Sequence, residues 1–283
     1  MRIFITGDEG KLGSRIAALL RDKGHEIVGW DVVRDKREDI RDLDALIPAV
    51  KGCDMVIHCA AIPHPKKGSF GKYFNINVQG TAYVMEAADR ARVQRVIYLS
   101  STGFYGCDLR GRLMPAYFPI DEAHPIASQP GRSWGKLDVY NQSKVMAEQI
   151  VAWYGTNRCF EAVVLRCAPA NPKSWQYRGT PWQQYNDDYR ETGDNWTRGC
   201  FFSNCHPDYV AQAAALAVEA EGPFWYEPFN ITDRYAGLID TREFLDKEYP
   251  GIEVRADLGP HDSLITPAKA MRVLGFQPCE DMA

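Results

Sequence analysis

Short apolar segments alternate with longer segments of helical periodicity, and this alternation constrains the fold more than any other feature. Segments such as MVIH, VIYL and AVVL carry apolar side chains at almost every position instead of at every second one. Strands of this kind belong to parallel sheets that helices cover on both faces. The predicted strands are residues 2–6, 26–30, 55–58, 95–100 and 162–166, and the predicted helices are residues 12–23, 43–50, 77–91 and 137–154. The sequence therefore predicts an α/β fold with a doubly wound parallel sheet over residues 1–170.

The pattern changes after residue 170, which predicts a second unit over residues 171–283. Residues 171–205 contain Trp175, Trp182 and Trp196 but little periodicity, and we interpret this segment as a lid or a substrate-facing loop. Further helices are predicted over residues 209–219, 241–248 and 267–274, and a strand over residues 229–232. These elements predict a small α/β C-terminal substrate lobe at the C-terminal edge of the sheet, with some return of the chain to the first domain.

Three glycines follow the first predicted strand, at the point where the first helix begins. Gly7, Gly10 and Gly13 give the spacing GxxGxxG, a variant of the turn in which a pyrophosphate approaches the backbone and a helix N-terminus. A glycine triplet alone is weak evidence, but a strand-to-helix junction is the context that this turn requires. The sequence therefore predicts a Rossmann dinucleotide site, whose other loop contacts are Glu9, Lys11 and Leu12.

An acidic residue ends the second predicted strand and indicates which dinucleotide binds. Asp31 lies 18 residues after Gly13. A carboxylate there accepts hydrogen bonds from ribose hydroxyls and repels a 2′-phosphate, which favours NAD over NADP. Arg34 follows closely, and its positive charge is expected to soften that preference. The alternative for Asp31 is that it only caps a loop.

Tyr140 and Lys144 lie four residues apart, so a helix presents both on one face. A phenol has a pKa of about 10, and a nearby ammonium lowers it by favouring the phenolate. Tyr140 can then take a proton from a substrate hydroxyl while a hydride leaves for the nicotinamide. Ser101 follows the strand at 95–100 and can donate a hydrogen bond to the same oxygen. Each residue also fits a structural role when taken singly, but together they predict a catalytic trio.

These residues, in this order, resemble the extended short-chain dehydrogenase/reductase family, in its NAD-dependent epimerase/dehydratase group. The resemblance extends over nearly the whole chain. Its motifs are Thr6-Gly7-x-x-Gly10-x-x-Gly13, Asp31, Asp39-Ile40, His58-Cys59-Ala60-Ala61, Asn77-Val78-Gln79-Gly80-Thr81, Ser100-Ser101-x-x-x-Tyr105-Gly106, Tyr140-x-x-x-Lys144, Leu165-Arg166 and Ala268-Lys269-Ala270-x-x-x-Leu274-Gly275-Phe276-x-Pro278.

The resemblance implies further contacts with the cofactor. Adenine is expected to lie against Asp39 and Ile40, and Ala60 and Ala61 are expected to line the bound cofactor. Tyr140 and Lys144 also hold the nicotinamide ribose in such enzymes. Asn77 is expected to help order the active site, the backbone around Cys167 is expected to face the carboxamide, and Ser100 is a further expected cofactor contact.

Two departures from the family pattern narrow the expected reaction. Dehydratases of the family carry Asp-Glu directly after the serine or threonine, whereas this chain has Thr102 and Gly103, so elimination of water is not expected. Only 40 positions separate Arg166 from His206, fewer than nucleotide-sugar epimerases use to enclose their nucleotide. The compact second lobe is more similar to that of uronate dehydrogenases, although their Ser-Asn-His run is Ser101-Thr102-Gly103 here.

We therefore expect an NAD-dependent oxidoreductase that transfers hydride at a secondary alcohol or ketone of a sugar or similar polar small molecule. The alternative is a sugar or nucleotide-sugar epimerase that keeps its NAD bound. A non-catalytic NAD-sensing protein is a third hypothesis, against which Tyr140 and Lys144 argue. The predicted substrate contacts are His64, Thr102, Asn171 and Arg198, of which Arg198 suits a carboxylate or phosphate.

Composition sets limits on location and partners. The net charge of −4 gives no standing attraction to nucleic acid or anionic membranes, and no apolar run approaches the roughly 20 residues that span a bilayer. The N-terminus shows no signal-peptide pattern, so a cytoplasmic location is expected. The eight cysteines contain no C-x-x-C pair, and no metal site is expected. The resemblance implies a homodimer through the helices at 77–91 and 137–154, although their apolar positions could equally face the sheet.

Overall fold

A six-stranded parallel sheet is the centre of the fold in the computed structural model, which describes residues 1–63, 69–106, 115–126, 139–170, 203–233 and 240–278. The strands are β1 (Arg2–Thr6), β2 (Glu26–Trp30), β3 (Met55–His58), β4 (Arg95–Ser101), β5 (Tyr117–Phe118), β6 (Glu161–Cys167), β7 (Glu227–Ile231) and β8 (Glu253–Val254). The helices are α1 (Gly13–Asp22), α2 (Leu43–Val50), α3 (Phe70–Tyr73), α4 (Gly80–Ala91), α5 (Val139–Thr156), α6 (Pro207–Glu219), α7 (Thr241–Glu248) and α8 (Ala268–Leu274). The main sheet has the order β2-β1-β3-β4-β6-β7, which confirms the predicted doubly wound α/β class.

Helices cover both faces of this sheet. On one face α1 and α6 pack over residues such as Ile5 and Ile57, and on the other α2, α4 and α5 pack over Phe4 and Val56. Successive residues of a strand point to opposite faces, so Phe4 and Ile5 enter different clusters although they are neighbours. Because both faces are buried, the strands are apolar at nearly every position.

Most predicted elements agree with the structure to within two residues. The strands at 2–6, 26–30 and 55–58 are confirmed as β1, β2 and β3, and the helices at 43–50 and 241–248 as α2 and α7. The structure extends the strands at 95–100 and 162–166 slightly, and α1 is one residue shorter at each end than the helix at 12–23. The sequence did not predict β5 and β8, which are two residues long and pair across a long stretch of chain.

The helix predicted over residues 77–91 begins earlier and is less regular than expected. The helical segment starts with α3, continues through a π-helical turn at Phe74–Gln79 and becomes α4. Within the wider turn, Asn77 is buried; its Oδ1 accepts a hydrogen bond from the backbone N of Ile62 (2.8 Å), and its Nδ2 donates to Oγ of Ser143 (2.9 Å). Such turns are frequent at functional sites. Hydrogen bonds to distant residues favour this geometry, and local sequence periodicity does not reveal them.

Part of the chain after residue 202 returns to the main sheet. β7 pairs in parallel with β6, from Val163 opposite Glu227 to Cys167 opposite Ile231. α6 packs against α1, and Lys23, the C-cap residue of α1, forms an ion pair with Glu219 of α6 (3.0 Å). We expected some return of the chain to the first domain, and the helix at 209–219 and the strand at 229–232, which we had assigned to the second lobe, make that return. The physical reason is the edge of β6, whose backbone groups need a partner strand. The domain boundary at 170/171 stays a prediction.

The smaller lobe has its own apolar cluster. β5 pairs with β8, and Phe118 of β5 packs with Phe244 and Tyr249 from α7 and its C-terminus, and with Leu264. Ile120 bridges to Ile265 in parallel, which attaches the segment after β5 to the chain before α8. Among the described helices, none combines the length and apolar character that crossing a bilayer requires.

A buried ion pair joins α5 to the sheet. The carboxylate of Glu148 accepts hydrogen bonds from Nε and Nη2 of Arg166 on β6 (3.0 and 2.7 Å), and both side chains are almost completely buried. Glu148 also accepts from the hydroxyls of Ser100 (2.5 Å) and Tyr226 (2.9 Å). Nη1 of Arg166 donates to the hydroxyl of Tyr105 (2.8 Å). A buried charge is tolerated when it is paired and hydrogen-bonded, and this one is both.

We expect Glu148→Ala to lower the free energy of unfolding by about 3–5 kcal/mol, because it leaves the guanidinium of Arg166 buried without its counter-ion. Urea unfolding followed by circular dichroism measures the change. The control is Glu86→Ala, which breaks the exposed pair with Arg90 on α4 and should cost less than about 1 kcal/mol. Equal losses in the two variants would contradict the prediction.

Candidate active site

The glycine turn after β1 brings three backbone segments together. Gly7 has a φ of +73°, and a Cβ there would lie 2.8 Å from the backbone N of Ala60. A Cβ at Gly13 would lie 2.1 Å from the carbonyl oxygen of Gly7. Side chains are thus excluded at both positions. The N-cap residue of α1, Leu12, provides no side-chain cap, and the backbone N of Ser14 in the first turn donates to the carbonyl oxygen of Gly10 (3.0 Å). A tight glycine turn at an uncapped helix N-terminus fits the phosphates of a dinucleotide.

Asp31 lies beside this turn. Its Oδ2 accepts a hydrogen bond from the backbone N of Glu9 (3.2 Å), and its Oδ1 accepts one from the backbone N of Val33 (2.9 Å). At the other side of the turn, Nζ of Lys11 donates to the carbonyl oxygen of Ala170. The structure therefore brings the predicted residues Glu9, Lys11 and Asp31 around the glycines.

The two residues expected to contact adenine differ in exposure and in their partners. Asp39 pairs with Arg41 through Nε (3.0 Å) and is partly exposed. Ile40 is buried under α4, where a Cβ on Gly80 would come within 2.5 Å of its Cδ1. Ile40 is thus part of the core cluster beneath α4. The adenine contacts of this pair stay a prediction.

Lys144 is buried where α5 lies against β4. Its Nζ donates to the carbonyl oxygen of Leu99 (2.8 Å) and to the hydroxyl of Tyr98 (3.4 Å), and it lies 4.9 Å from the centre of the Tyr98 ring. Burial lowers the pKa of Lys144 to about 8. The nearby Glu148 acts in the opposite direction and favours the ammonium. The hydrogen bonds therefore fix the position of the Lys144 amine, and burial brings its pKa closer to neutral pH.

Tyr140 and Ser101 lie at the same end of the sheet as Lys144. Tyr140 is one helical turn before Lys144 on α5 and is half-buried. Ser101 ends β4, and its Oγ accepts a hydrogen bond from the backbone N of Gly103 (3.1 Å), which leaves the hydroxyl proton to be donated elsewhere. A Cβ on Gly103 would lie 2.1 Å from Oδ1 of Asn141, so α5 begins directly over the turn after β4. The three predicted catalytic residues share one edge of the sheet.

This arrangement agrees with a known family. Residues 3–171 match the NAD dependent epimerase/dehydratase family. The chain belongs to this family. A ketoreductase of Stigmatella aurantiaca, named for 4-hydroxy-2-methyl-3-oxo-4-farnesyl-3,4-dihydroquinoline-1-oxide, is 27% identical over 92% of this chain and 75% of its own. The L-arabinose 1-dehydrogenase (NAD(P)(+)) of Haloferax volcanii is 27% identical over 85% of this chain and 92% of its own.

Solved structures support the fold of this epimerase/dehydratase family member. A short-chain dehydrogenase/reductase superfamily protein from Agrobacterium tumefaciens, crystallised with bound NAD, superposes with a TM-score of 0.70. The alignment covers 100% of this chain and 94% of that one, at 19% sequence identity. At this level of identity the likeness shows the fold alone.

The turn after β4 also bears on which reaction of the family is available. A dehydratase would need acidic side chains where this chain has Thr102 and Gly103. The carboxamide of Asn141 fills the space that any side chain at position 103 would need. Thr102 is completely buried in this turn. The structure therefore gives a physical reason for the missing carboxylate at position 103.

Several predicted residues have contacts that the sequence did not indicate. Ser100 donates its hydroxyl proton to the carboxylate of Glu148 on α5 (2.5 Å) and is buried. Cys167 pairs in register with Ser101, and burial raises the pKa of its thiol to about 12, so the thiol is uncharged beside Lys144. Ala61 lies just after β3 and is half-buried. The predicted substrate residues His64, Asn171 and Arg198 lie outside the described residues.

A buried hydrogen-bond chain beneath the site was not predicted. Thr6 Oγ1 lies 2.7 Å from Nδ1 of His58, and Nε2 of His58 lies 2.9 Å from Oγ1 of Thr81. Oγ1 of Thr81 donates to the carbonyl oxygen of Asn77 (2.6 Å), so Nε2 of His58 carries the proton that Thr81 accepts. Burial, with the charge of Lys144, lowers the pKa of His58 to about 3. The imidazole is therefore neutral. His58 ends β3 and begins a motif of the family resemblance, but nothing in the sequence indicated its partners Thr6 and Thr81.

The lowered pKa of Lys144 predicts a pH dependence of stability. An unfolded lysine titrates near 10.5 and the folded one near 8, so the unfolded state binds more protons between these values. The free energy of unfolding should therefore rise with pH across this window, by at most about 1.4 kcal/mol per pH unit, and the burial cost is fully present below pH 8.

Urea unfolding of the wild type and of Lys144→Met, at intervals from pH 7 to 10, tests this prediction. The difference in stability should move in favour of the wild type as the pH rises. Lys23→Met, which alters an exposed lysine paired with Glu219, is the control and should keep the wild-type slope. Parallel curves for the wild type and Lys144→Met would show that Lys144 titrates normally.

Proposed function

We propose that this protein is an NAD-dependent oxidoreductase that transfers hydride at a secondary alcohol or ketone of a sugar or similar polar small molecule. One observation carries the proposal. Tyr140 and Lys144 lie one turn apart on α5, whose start covers the C-terminal end of β4, and Lys144 is buried and fixed there. Ligands of open α/β sheets bind outside the carboxyl ends of the strands.

NAD is the cofactor that suits the glycine turn and Asp31. The turn excludes side chains and offers an uncapped helix N-terminus to a pyrophosphate, and the Asp31 carboxylate suits ribose hydroxyls. When bound, NAD accepts the hydride from the substrate or returns it. The Agrobacterium tumefaciens protein, which was crystallised with NAD, supports this assignment.

Three residues of this chain each have a separate role in the proposed proton transfer. Tyr140 takes the proton from the substrate hydroxyl, since its phenol lies at the sheet edge near a buried ammonium. Lys144 favours the phenolate by its charge and is held in position by the carbonyl oxygen of Leu99. Ser101 donates its remaining hydroxyl proton to the substrate oxygen and stabilises negative charge there.

Two relatives support a dehydrogenase more than an epimerase. The Stigmatella aurantiaca protein is named a ketoreductase and the Haloferax volcanii protein an L-arabinose dehydrogenase, and each aligns with most of this chain. The substrates in their names, a farnesylated quinoline oxide and a sugar, have in common a carbonyl or alcohol carbon. A sugar is our first choice of substrate because the sugar dehydrogenase aligns over 92% of its own length.

Mass spectrometry of the small molecules released on denaturing freshly purified protein separates the two reactions. A dehydrogenase exchanges its cofactor at each turnover, so the site should be largely empty and should bind added NAD. Stoichiometric NAD in the purified protein would instead favour a sugar or nucleotide-sugar epimerase that recycles its cofactor in place. Screening aldoses, uronates and polyols for NADH formation follows the first result, and sugar nucleotides the second.

We expect Tyr140→Phe to lower kcat by about 10²–10⁴-fold while NADH binding stays within about twofold, because the change removes only the proton acceptor. Steady-state kinetics and NADH fluorescence titration measure the two effects. Tyr154→Phe, on the same helix but stacked on Phe160 away from the site, is the control and should keep full activity. Activity retained by Tyr140→Phe would refute the assignment of the base.

Arg198 is proposed to bind a carboxylate or phosphate of the substrate. For an anionic substrate, Arg198→Ala should raise KM by about tenfold or more with little change in kcat, since it removes ground-state binding. The control is Arg158→Ala, whose guanidinium lies 5.3 Å from the ring of Trp225 beyond the end of α5. An unchanged KM for Arg198→Ala would exclude this role.

The homodimer stays a prediction. Trp153 of α5 is 59% exposed, so this helix does present an apolar side chain to its outer surface. Sedimentation of the purified protein would decide the oligomeric state.

A further inference from the structure

Arg34 lies between the glycine turn and the loop after β2, among three carboxylates. Its Nη1 donates to Oδ2 of Asp8 (2.9 Å) and to Oε1 of Glu9 (3.1 Å). Its Nη2 donates to Oδ1 of Asp8 (3.3 Å) and to Oε2 of Glu38 (2.7 Å), and its Nε donates to Oε1 of Glu38 (3.4 Å). These five hydrogen bonds occupy all five N–H groups of the guanidinium. The hydrogen bonds to Asp8 and Glu38 raise the pKa of Arg34 above its ordinary value.

The burial of Asp8 makes its ion pair with Arg34 costly to break. Its side chain is only 4% exposed, and it lies against β2, where a Cβ on Gly29 would come within 2.0 Å of its Oδ2. A buried carboxylate without a cation is costly, so Asp8 requires Arg34 as its counter-ion. The absence of a side chain at Gly29 provides the space in which Asp8 reaches Arg34.

Glu38 holds the other side of the guanidinium. Its Oε2 also accepts a hydrogen bond from the backbone N of Asp31 (2.8 Å), so the residue that suits a ribose hydroxyl and the residue that binds Arg34 are linked. Asp8, Glu9, Asp31 and Glu38 together outnumber the single positive charge of Arg34. The local field at this end of the glycine turn is therefore negative although an arginine is present.

We propose that Asp8 and Glu38 are specificity-determining residues that hold Arg34 as their counter-ion, so that its guanidinium does not bind a 2′-phosphate and the site discriminates against NADP. The inference rests on the proposed binding of NAD at the glycine turn. It reverses the expectation that Arg34 softens the preference for NAD. A guanidinium matches a phosphate as well as it matches a carboxylate, so Arg34 is a phosphate ligand that the carboxylates keep occupied.

Fluorescence titration of purified protein with NADH and with NADPH tests the proposal without any substrate. In Glu38→Gln, the amide keeps the size of the side chain and can still accept the backbone hydrogen bond of Asp31. Arg34 keeps Asp8 and Glu9, but the two of its N–H groups that bind Glu38 lose their charged partner and become available to a phosphate. We expect the Kd for NADPH to fall by about tenfold and the Kd for NADH to change by less than about twofold.

Two controls separate release of Arg34 from a simple loss of negative charge. Asp35→Asn removes one carboxylate from the same loop, but Asp35 is hydrogen-bonded to Arg37 and not to Arg34, so NADPH affinity should stay within about twofold. Adding Arg34→Gln to Glu38→Gln should abolish the gain for NADPH, because the phosphate ligand is then missing. Glu38→Ser is a second variant that loses the same charge, should Glu38→Gln prove poorly folded in a thermal melt.

The outcomes distinguish this proposal from the proposed function. If the wild type binds NADH, and Glu38→Gln or Glu38→Ser gains NADPH affinity only when Arg34 is present, the proposal is supported. If NADH binds but neither Glu38 variant gains NADPH affinity, or Asp35→Asn gains as much, the proposal alone is overturned. If the wild type binds neither dinucleotide, the proposed function is overturned and the proposal with it.

Discussion

The buried carboxylate of Glu148 is the contact on which the rest of the site depends. It accepts hydrogen bonds from Arg166 on β6, from Ser100 on β4 and from Tyr226, the residue before β7, so it attaches α5 to two strands and to the chain that enters a third. Lys144 lies one turn before Glu148 on the same helix, and the position of its ammonium against the end of β4 follows from that attachment. A buried carboxylate needs a counter-ion and hydrogen-bond donors for both of its oxygens. Because these partners lie at fixed places on the sheet, α5 can occupy only one position against it.

Around the ammonium of Lys144 the protein interior is polar but mostly uncharged. His58 is neutral, the thiol of Cys167 is neutral, and burial raises the pKa of Tyr98 well above its ordinary value. These groups can orient the lysine by hydrogen bonds and dipoles without competing for its charge. The opposite holds at the far end of the glycine turn, where the guanidinium of Arg34 is paired with the carboxylates of Asp8 and Glu38. The surroundings of Lys144 are thus weakly charged, whereas those of Arg34 contain several carboxylates; in our proposals the first serve proton transfer and the second select the dinucleotide.

The sequence predicted the features that depend on local chemistry. Strands β1 and β3 were predicted to the residue because burial on both faces requires continuous apolar runs, and the edge strand β2 was predicted to the residue from its short apolar run. The glycine turn was predicted because few residues other than glycine permit its φ and its contact with Ala60. The π-helical turn around Asn77, the pairing of β7 with β6 and the five hydrogen bonds of Arg34 were not predicted. Each of them joins residues far apart in the chain or depends on which of several partners a side chain finds.

The sequence by itself therefore determined the fold class, the order along the first 170 residues of the main-sheet strands and of the longer helices that cover them, and the choice of residues for the proposed site. Periodicity, glycine conformation and the spacing of Tyr140 from Lys144 are properties of short segments, so they can be recognised without the tertiary structure. Only the tertiary structure decided that Ser100 faces Glu148, that Asn141 fills the space beside Gly103, and that Arg34 is occupied by carboxylates. The reason is that hydrogen bonds and ion pairs are short-ranged in space, whereas their partners here are as much as 48 residues apart in sequence.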